Sequence, residues 1–358
     1  MTTTTVRPDE LTAAELAGWR QMQLRDDSLT SPFLSPEFAL AVGRRRPAAR
    51  VAVLCDGSGP AAYFPFERRA LGIGKPIGAG FCDCQGLVHR RGLDWDPVSL
   101  LADCGLRVWE FDHLVAGQTA FEANGVHRAA SPVIDVGDGY QAYAARLGGH
   151  SAKLLHRVRG KGARLERETG PLRFVFDERD PAMLRTLAAW KTAQCLAKGR
   201  RDVFAQPGLL SVVRELADSR AEGCAGVLSV LYAGGRPVSM LYSLRARHLL
   251  SSWLPVYDAA LARHSPGLLL YLHLLEAAAG LGLRRIDLGK GHDRYKESLK
   301  TGDVMVAQGR VERGTALPAL RRWQVASLDR TKAVVSANPG LRRLALGAVG
   351  LVERRTAH

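Results

Sequence analysis

The stretch AGVLSVLYAGGRPVSMLYSLRARHLLSSWLPVY, residues 225–257, decides the fold. Three runs within it, Ala225–Tyr232, Arg236–Leu244 and Leu249–Tyr257, are apolar, rich in Val, Leu and Tyr, and read as strands. Gly234-Gly235 supplies the positive-φ positions that a tight hairpin between the first two requires. Downstream, Pro266–Gly280 reads as a helix, Arg284–Leu288 as a strand, Asp293–Lys300 as one or two helical turns and Val304–Val311 as a closing strand. The fold class is α/β (α+β), with mixed, mostly antiparallel sheet flanked by helices.

Two segments in this region carry candidate chemistry. In Ser265-Pro266-Gly267-Leu268, Ser suits a helix N-cap, Pro the first helical position, and Gly lets a ligand approach the backbone. A helix N-terminus with free N–H groups suits a phosphate, although ordinary capping explains the same residues. The second segment is Asp287-Leu288-Gly289-Lys290-Gly291-His292-Asp293-Arg294-Tyr295-Lys296, running from a strand end through a glycine turn into a helix. Here Asp287 is the candidate proton acceptor for an amine and Tyr295 the candidate donor to a leaving thiolate. Lys296 is the candidate phosphate contact, and Gly289 and Gly291 permit the reversal beside substrate. A structural turn capped by Asp293 is the plainer alternative. Gly289-Lys290-Gly291 lacks the spacing of a phosphate-binding P-loop.

Outward from this core, Leu172–Asp177 reads as a strand and Pro181–Lys198 and Pro207–Ala221 as helices. Gly139–Glu168 reads as helical, broken at Gly148-Gly149, and is strongly basic after His150. Arg157, Arg159 and Arg164 in it are candidate anion contacts, with a solvated face as the alternative. Further upstream, Thr12-x-x-Glu15 is a capping box, Ser35-Pro36 opens a helix, and Arg50–Cys55, Ala61–Glu67 and Arg107–Phe111 read as strands. Gly72 to Gly86 reads as a loop; Pro76 interrupts its passing likeness to a dinucleotide fingerprint.

The net charge of the 358-residue chain is +15, from 50 Lys+Arg against 35 Asp+Glu, which favours anionic partners without choosing among them. Six scattered Cys without a C-x-x-C pair read as reduced thiols, and no metal site is expected. With neither an apolar leader nor a run long enough to span a bilayer, the expected location is the cytoplasm. The basic segment from Pro318 to Glu353 offers a peripheral contact with the inner membrane face or with a polysaccharide synthase. Its bland reading is a self-packed helix pair. The stretch around Arg157 lacks aromatics for stacking on nucleic acid, and no DNA-reading motif is visible.

The order of elements after Ala225 resembles the core of the GNAT superfamily of acyltransferases. Ser265-Pro266-Gly267 followed by Asp287-x-Gly289-x-Gly291-x-x-x-Tyr295-Lys296 resembles in particular the CelD/BcsL-type GNAT family, which is related to FemAB-like transferases. Pro32-Phe33-Leu34-Ser35-Pro36-Glu37-Phe38, Tyr63-Phe64-Pro65-Phe66 and Cys84-Gln85-Gly86-Leu87 fit it as well. The resemblance implies two GNAT-like domains, 1–135 and 136–316, the second with the basic linking helix, and a basic tail, 317–358. It implies transfer from acyl-CoA, acetyl-CoA first, to an amine or hydroxyl of a small metabolite, sugar nucleotide or polysaccharide precursor. Ser265, Pro266, Gly267, Leu268 and Lys296 would bind the donor, and Asp287 and Tyr295 would assist proton transfer. The usual acyl-CoA loop has two small residues where Ala262-Arg263-His264-Ser265-Pro266-Gly267 has one Gly and a Pro. The alternatives are a FemAB-like transferase using aminoacyl-tRNA, the only nucleic acid then involved, and a non-catalytic GNAT module bound to a polysaccharide synthase.

Overall fold

A computed structural model of the chain describes residues 1–122, 126–291 and 293–314. The first half contains β1 (Thr2–Val6), α1 (Ala13–Arg25), α2 (Pro36–Gly43), β2 (Ala49–Asp56), β3 (Gly59–Arg69), β4 (Ile73–Pro76), β5 (Val88–His89), α3 (Pro97–Asp103), β6 (Val108–Leu114) and β7 (His127–Asp135). The second contains α4 (Gly139–Arg146), α5 (Gly149–Thr169), β8 (Leu172–Val175), α6 (Pro181–Ala197), α7 (Leu209–Asp218), β9 (Ala225–Ala233), β10 (Arg236–Ala246), β11 (Leu249–Tyr257), α8 (Pro266–Ala277), β12 (Arg285–Asp287), α9 (Arg294–Leu299) and β13 (Gly302–Glu312).

The local signals act as their chemistry predicts. Thr12 and Glu15 form the capping box of α1, and Ser35 Oγ accepts from Phe38 N at 3.0 Å to cap α2. At the β9–β10 hairpin, Gly234 and Gly235 have φ of 55° and 79°. A Cβ on Gly234 would stand 1.8 Å from Thr169 O, so α5's end closes the hairpin to any larger residue. The segment 72–86, expected as loop, contains β4, which pairs antiparallel with β3 and parallel with β6. The Thr-rich N-terminus forms β1, whose β-branched residues pair with β2 from Thr2↔Cys55 to Val6↔Val51.

The described strands build one large, mostly antiparallel sheet flanked by helices, in the order β1-β2-β3-β4-β6-β13-β7-β12-β11-β10-β9-β8, with β5 on β3. The last strand, β13, lies between β6 and β7, antiparallel to both. In turn β7 pairs with β12. The halves therefore interleave their strands, and the sheet is continuous across Asp135. Trp253 of β11 packs edge-on to Phe33, with ring centroids 5.4 Å apart, and its Nε1 donates to Phe81 O at 3.0 Å. Each fully buried Phe in this shared core contributes about 1.5–3 kcal/mol, so the first half is anchored to the second. On the opposite face Leu269, Leu272 and Leu275 of α8 form a separate core with Ile286.

Candidate functional site

A gap in the sheet organises the site. Strands β11 and β12 run parallel, and their pairing ends at Ser251↔Asp287. Beyond it β11 continues to Tyr257, while the chain leaves β12 through the Gly289–Gly291 turn. A cleft of about 360 Å³ opens there, at the start of α8. Ser265 is left-handed (φ 54°) and precedes α8, but its side chain does not cap the helix. Its Oγ accepts from Lys161 Nζ at 2.8 Å instead. Pro266 has no N–H to offer, so the first-turn N–H groups of Gly267 and Leu268 face the cleft without a side-chain cap. Lys191, Lys198 and Arg200 add positive charge to the wall. Burial pushes Lys191 below its ordinary value, and its Nζ donates to Pro255 O at 3.2 Å.

Tyr295 and Tyr271 line the inner end of the cleft. Their rings stack at 5.7 Å and their hydroxyls are hydrogen-bonded. The Tyr271 hydroxyl lies 2.5 Å from Ser252 Oγ on β11. Burial and this partner hold Tyr295 well above the ordinary tyrosine value, and burial pushes Tyr271 up to about 12. Both are neutral hydrogen-bonding groups at physiological pH.

A second polar centre lies on the face of the sheet away from α8. Ile286 points to α8, so Asp287 points away from it. Asp287 Oδ1 accepts from Gly289 N at 2.8 Å and Ser131 Oγ at 3.1 Å. Burial raises its pKa and outweighs these bonds, which pull it down with Lys296 and His113. Asp83, from the loop after β4, faces it. A third of the Asp83 side chain is accessible, yet the surrounding protein desolvates it and pushes it up to about 6; His113 pulls the other way. His113 Nε2 lies 3.9 Å from Asp83 Oδ1, and His113 Nδ1 lies 3.0 Å from Asp112 Oδ1. Burial pushes Asp112 up, but His113, Gln85 and Lys290 prevail and hold it at about 2. Gln85, almost fully buried, locks the arrangement: Nε2 donates to Asp112 Oδ1 at 2.6 Å and Oε1 accepts from the Asp112 and His113 N–H groups.

Residues 152–297 match the family model described as acetyltransferase (GNAT) domain. The chain contains a GNAT-fold acetyltransferase domain. No curated relative matches the chain. Among solved structures it is similar to FemX, with 10% identity over 90% of this chain and 99% of that one and a TM-score of 0.58. It is similar to the C-terminal domain (DUF2156) of a protein of the lysylphosphatidylglycerol synthetase type from Agrobacterium fabrum, at 13% identity, 88% and 97% coverage and TM-score 0.57. The third is L-PGS from Bacillus licheniformis, at 12%, 86% and 94%, with a TM-score of 0.55. At such identities these likenesses show the fold.

In the GNAT domain, Ser265, Pro266, Gly267, Leu268 and Tyr295 are brought together in the cleft. Asp287 stands across the gap from them, in the second centre. Lys296, expected at a donor phosphate, turns the other way. It is 7% exposed, and its Nζ donates to Gly289 O at 2.9 Å and Lys290 O at 3.1 Å. The turn leaves these carbonyls inside the fold, and the ammonium satisfies them. Gly289 and Gly291, with φ of 74° and 132°, make the turn itself. Arg159 pairs with Glu276 at 2.9 Å and donates to Tyr140 Oη, and Arg164 pairs with Glu168 at 2.7 Å. Arg157 is exposed on α5. Lys161 is the α5 side chain that reaches Ser265. The basic tail lies outside the described residues.

Sequence reasoning missed Lys191, Lys198, Arg200 and Tyr271 in the cleft, Ser252 behind Tyr271, and Asp83, Asp112, His113 and Ser131 in the second centre. The basic run Lys198-Gly199-Arg200-Arg201 after a helix was a usable signal for the first group. No local signal marks the second. Among the described residues, no group of three or more His, Cys, Asp or Glu is placed to hold a metal, and no helix is long and apolar enough to cross a membrane.

Proposed function

We propose that the protein is an acyltransferase that binds the anionic part of an acyl donor in the cleft at the start of α8 and passes the acyl group through the gap between β11 and β12. The observation that carries this is the placement of a basic, tyrosine-lined cleft and a desolvated carboxylate, Asp287, at one break in the sheet. The donor is an acyl-CoA, acetyl-CoA first. Its phosphates meet the N–H groups of Gly267 and Leu268 and the charges of Lys191, Lys198 and Arg200. The acceptor is an amine or hydroxyl of a small metabolite or glycan precursor, the latter by the CelD/BcsL likeness. Residues 1–135 contribute the acceptor side and residues 136–316 the donor side.

In the reaction the acceptor lone pair attacks the acyl carbonyl carbon and forms the new bond. Asp287, directly or through a water, takes the acceptor proton; its raised pKa suits it to do so near neutral pH. The tetrahedral intermediate collapses with cleavage of the carbon–sulfur bond, and the thiolate leaves. Tyr295 turns its single O–H from Tyr271 to donate a hydrogen bond to the developing negative charge.

One observation favours a second donor. A tyrosine held well above its ordinary pKa is a poor proton source for a thiolate, whose conjugate acid has a pKa of about 8.5. It is better matched to the alkoxide released by an ester, as in transfer from aminoacyl-tRNA. The fold likeness to FemX and to a protein of the lysylphosphatidylglycerol synthetase type, over nearly the whole chain, supports this reading.

Native mass spectrometry with a panel of acyl-CoAs and a charged aminoacyl-RNA hairpin tests both. A one-to-one complex with a member of either set identifies the donor class; retention of neither sinks the donor assignment for the cleft.

A further inference from the structure

A second cavity, of about 280 Å³, lies at the other end of α6 from the donor cleft. The loop from Asp177 to Asp180, the first turns of α6, the end of α7 and the start of β9 line it. Helix α6 reaches it through Leu184 and Arg185, and reaches the cleft through Lys191, Gln194 and Lys198. The span from Arg185 to Gln194 is about 14 Å of helix. No lining residue is shared with the cleft or with the carboxylate centre around Asp287, so the occupant of this cavity is neither donor nor acceptor.

The charges around the cavity fall into two groups. Some are engaged inside the fold. Glu178 Oε2 accepts from Tyr232 Oη at 2.7 Å, and its Oε1 accepts from the N–H groups of Arg179 and Asp180. Asp180 caps α6 by accepting from Ala182 N at 2.8 Å. Arg179 donates to Ala217 O and pairs with Asp177 Oδ2. The others are open. Arg185 and Arg214 are exposed and make no hydrogen bond or ion pair among the described residues. Asp218 stands four residues after Arg214 on α7, a spacing at which opposite charges ordinarily meet, yet the two are not paired. Asp177 Oδ1 has no hydrogen-bond partner. Leu184 and Leu228 supply an apolar wall.

Two guanidiniums, two carboxylates and an apolar wall are thus turned to one small space. A ligand of one sign answers only half of them. A phosphate would meet Asp177 and Asp218, and a simple amine would meet Arg185 and Arg214. The volume lies below the range of about 300–1,000 Å³ in which drug-sized ligands are held, too small for a nucleotide or a glycan. A compact zwitterion answers both signs at once. Its carboxylate suits the planar fork of a guanidinium, and its ammonium brings three donors to the carboxylates. We propose that this cavity binds a free α-amino acid with an apolar side chain. The carboxylate lies on Arg185 and Arg214, the ammonium on Asp177 and Asp218, and the side chain against Leu184 and Leu228. The site stands independently of what the cleft binds.

Equilibrium dialysis of the full chain against isotope-labelled L-leucine tests the site, with one-to-one binding expected. Unlabelled 4-methylpentanoate lacks the ammonium, and 3-methylbutylamine lacks the carboxylate. Each should compete at least about tenfold more weakly than unlabelled leucine, the worth of one charged hydrogen-bonded contact. The double variant Arg185→Ala with Arg214→Ala loses only exposed, unpaired side chains, so it should fold normally and bind leucine at least about tenfold more weakly. Asp177→Asn keeps the shape, and asparagine tolerates the left-handed φ of 64° at this position. It should weaken leucine about tenfold. Circular dichroism of each variant separates lost binding from lost folding. Asp83→Asn, in the other carboxylate centre, should leave leucine binding unchanged, and CoA should not compete with it. Absence of leucine binding at millimolar concentration, or equal competition by either singly charged analogue, would overturn the proposal. So would unchanged affinity in the folded variants of this cavity, or loss of binding on Asp83→Asn or on adding CoA.

Discussion

The two faces of the gap are built in opposite ways. The cleft is made largely from contiguous chain: Ser265 to Leu268 at one helix start, Tyr271 one turn on, and Tyr295 on the next short helix. Its charges are positive, with Lys198 and Arg200 exposed and Lys191 desolvated. The opposite centre is made from β6, β7, β12 and the loop after β4, and its charges are negative, with Asp83 and Asp287 desolvated. The first kind of site needs a helix terminus and can form wherever one is left uncapped. The second exists only because β13 and β7 exchange places between the halves and bring His113, Ser131 and Asp287 to one level of the sheet. Bulk ions should affect the cleft more, and single isosteric substitutions should affect the carboxylate centre more.

The largest expected effect is at the carboxylate face. Asp287→Asn keeps the shape and removes the proton acceptor, so turnover should fall about 10²–10⁴-fold with donor affinity near wild type. Steady-state kinetics together with donor titration checks this, and near-normal turnover would make Asp287 a turn-orienting residue. The wild-type pH profile carries the same information. Asp287 and Asp83 both have raised pKa values and serve only when ionised, so activity should fall as pH drops through about 6, the value to which burial pushes Asp83. A flat profile between pH 5 and 7 would break the assignment.

Next in size is Tyr295→Phe. Loss of one hydrogen-bond donor to a developing charge is expected to cost about 10²–10³-fold in turnover. With an ester donor the loss should approach the upper end; with a thioester it should be smaller, because a thiolate needs less help in leaving. Measuring the variant on both donor types therefore sharpens the contrast between them.

A smaller effect is expected at the cleft mouth. A Cβ on Gly267 would stand 3.6 Å from Tyr257 Cδ1, an ordinary contact, so Gly267→Val should fold normally. Its branched side chain would cover the N–H groups of Gly267 and Leu268, and donor affinity should weaken about tenfold by calorimetry, one lost charge-assisted contact. The smallest effect belongs to α5. Arg164 is paired with Glu168, and Arg157 is solvated, so Arg157→Ala with Arg164→Ala should change donor affinity less than about threefold. A larger, salt-sensitive loss would return these arginines to the donor site.

The second half was legible because its signals are local. Gly234-Gly235 marks the hairpin, Pro266 marks a helix start, and the alternation of strand and helix after Ala225 follows from side-chain period alone. The capping residues Thr12 and Ser35 were read for the same reason. Strand β4 was missed because its four residues, Ile73 to Pro76, contain a glycine and a proline; they form a strand only because β3 and β6 offer partners on both sides. Lys296 was read as a phosphate ligand from its neighbours in sequence, whereas the inward carbonyls of Gly289 and Lys290 claim its ammonium.

Read alone, the chain set the fold class, the helix start that forms the cleft and the presence of Asp287 at a strand end. Those depend on backbone preference and on patterns spanning a few residues. Only the tertiary structure decided that Asp287 faces Asp83 and His113, more than 170 residues away in sequence, and that Tyr295 faces Tyr271 on the other side of the sheet. Strand order sets these partnerships, and strand order is chosen by the burial of Trp253, Phe33 and the other core side chains across the whole sheet. A carboxylate's surroundings, and hence its chemistry, follow from that global packing.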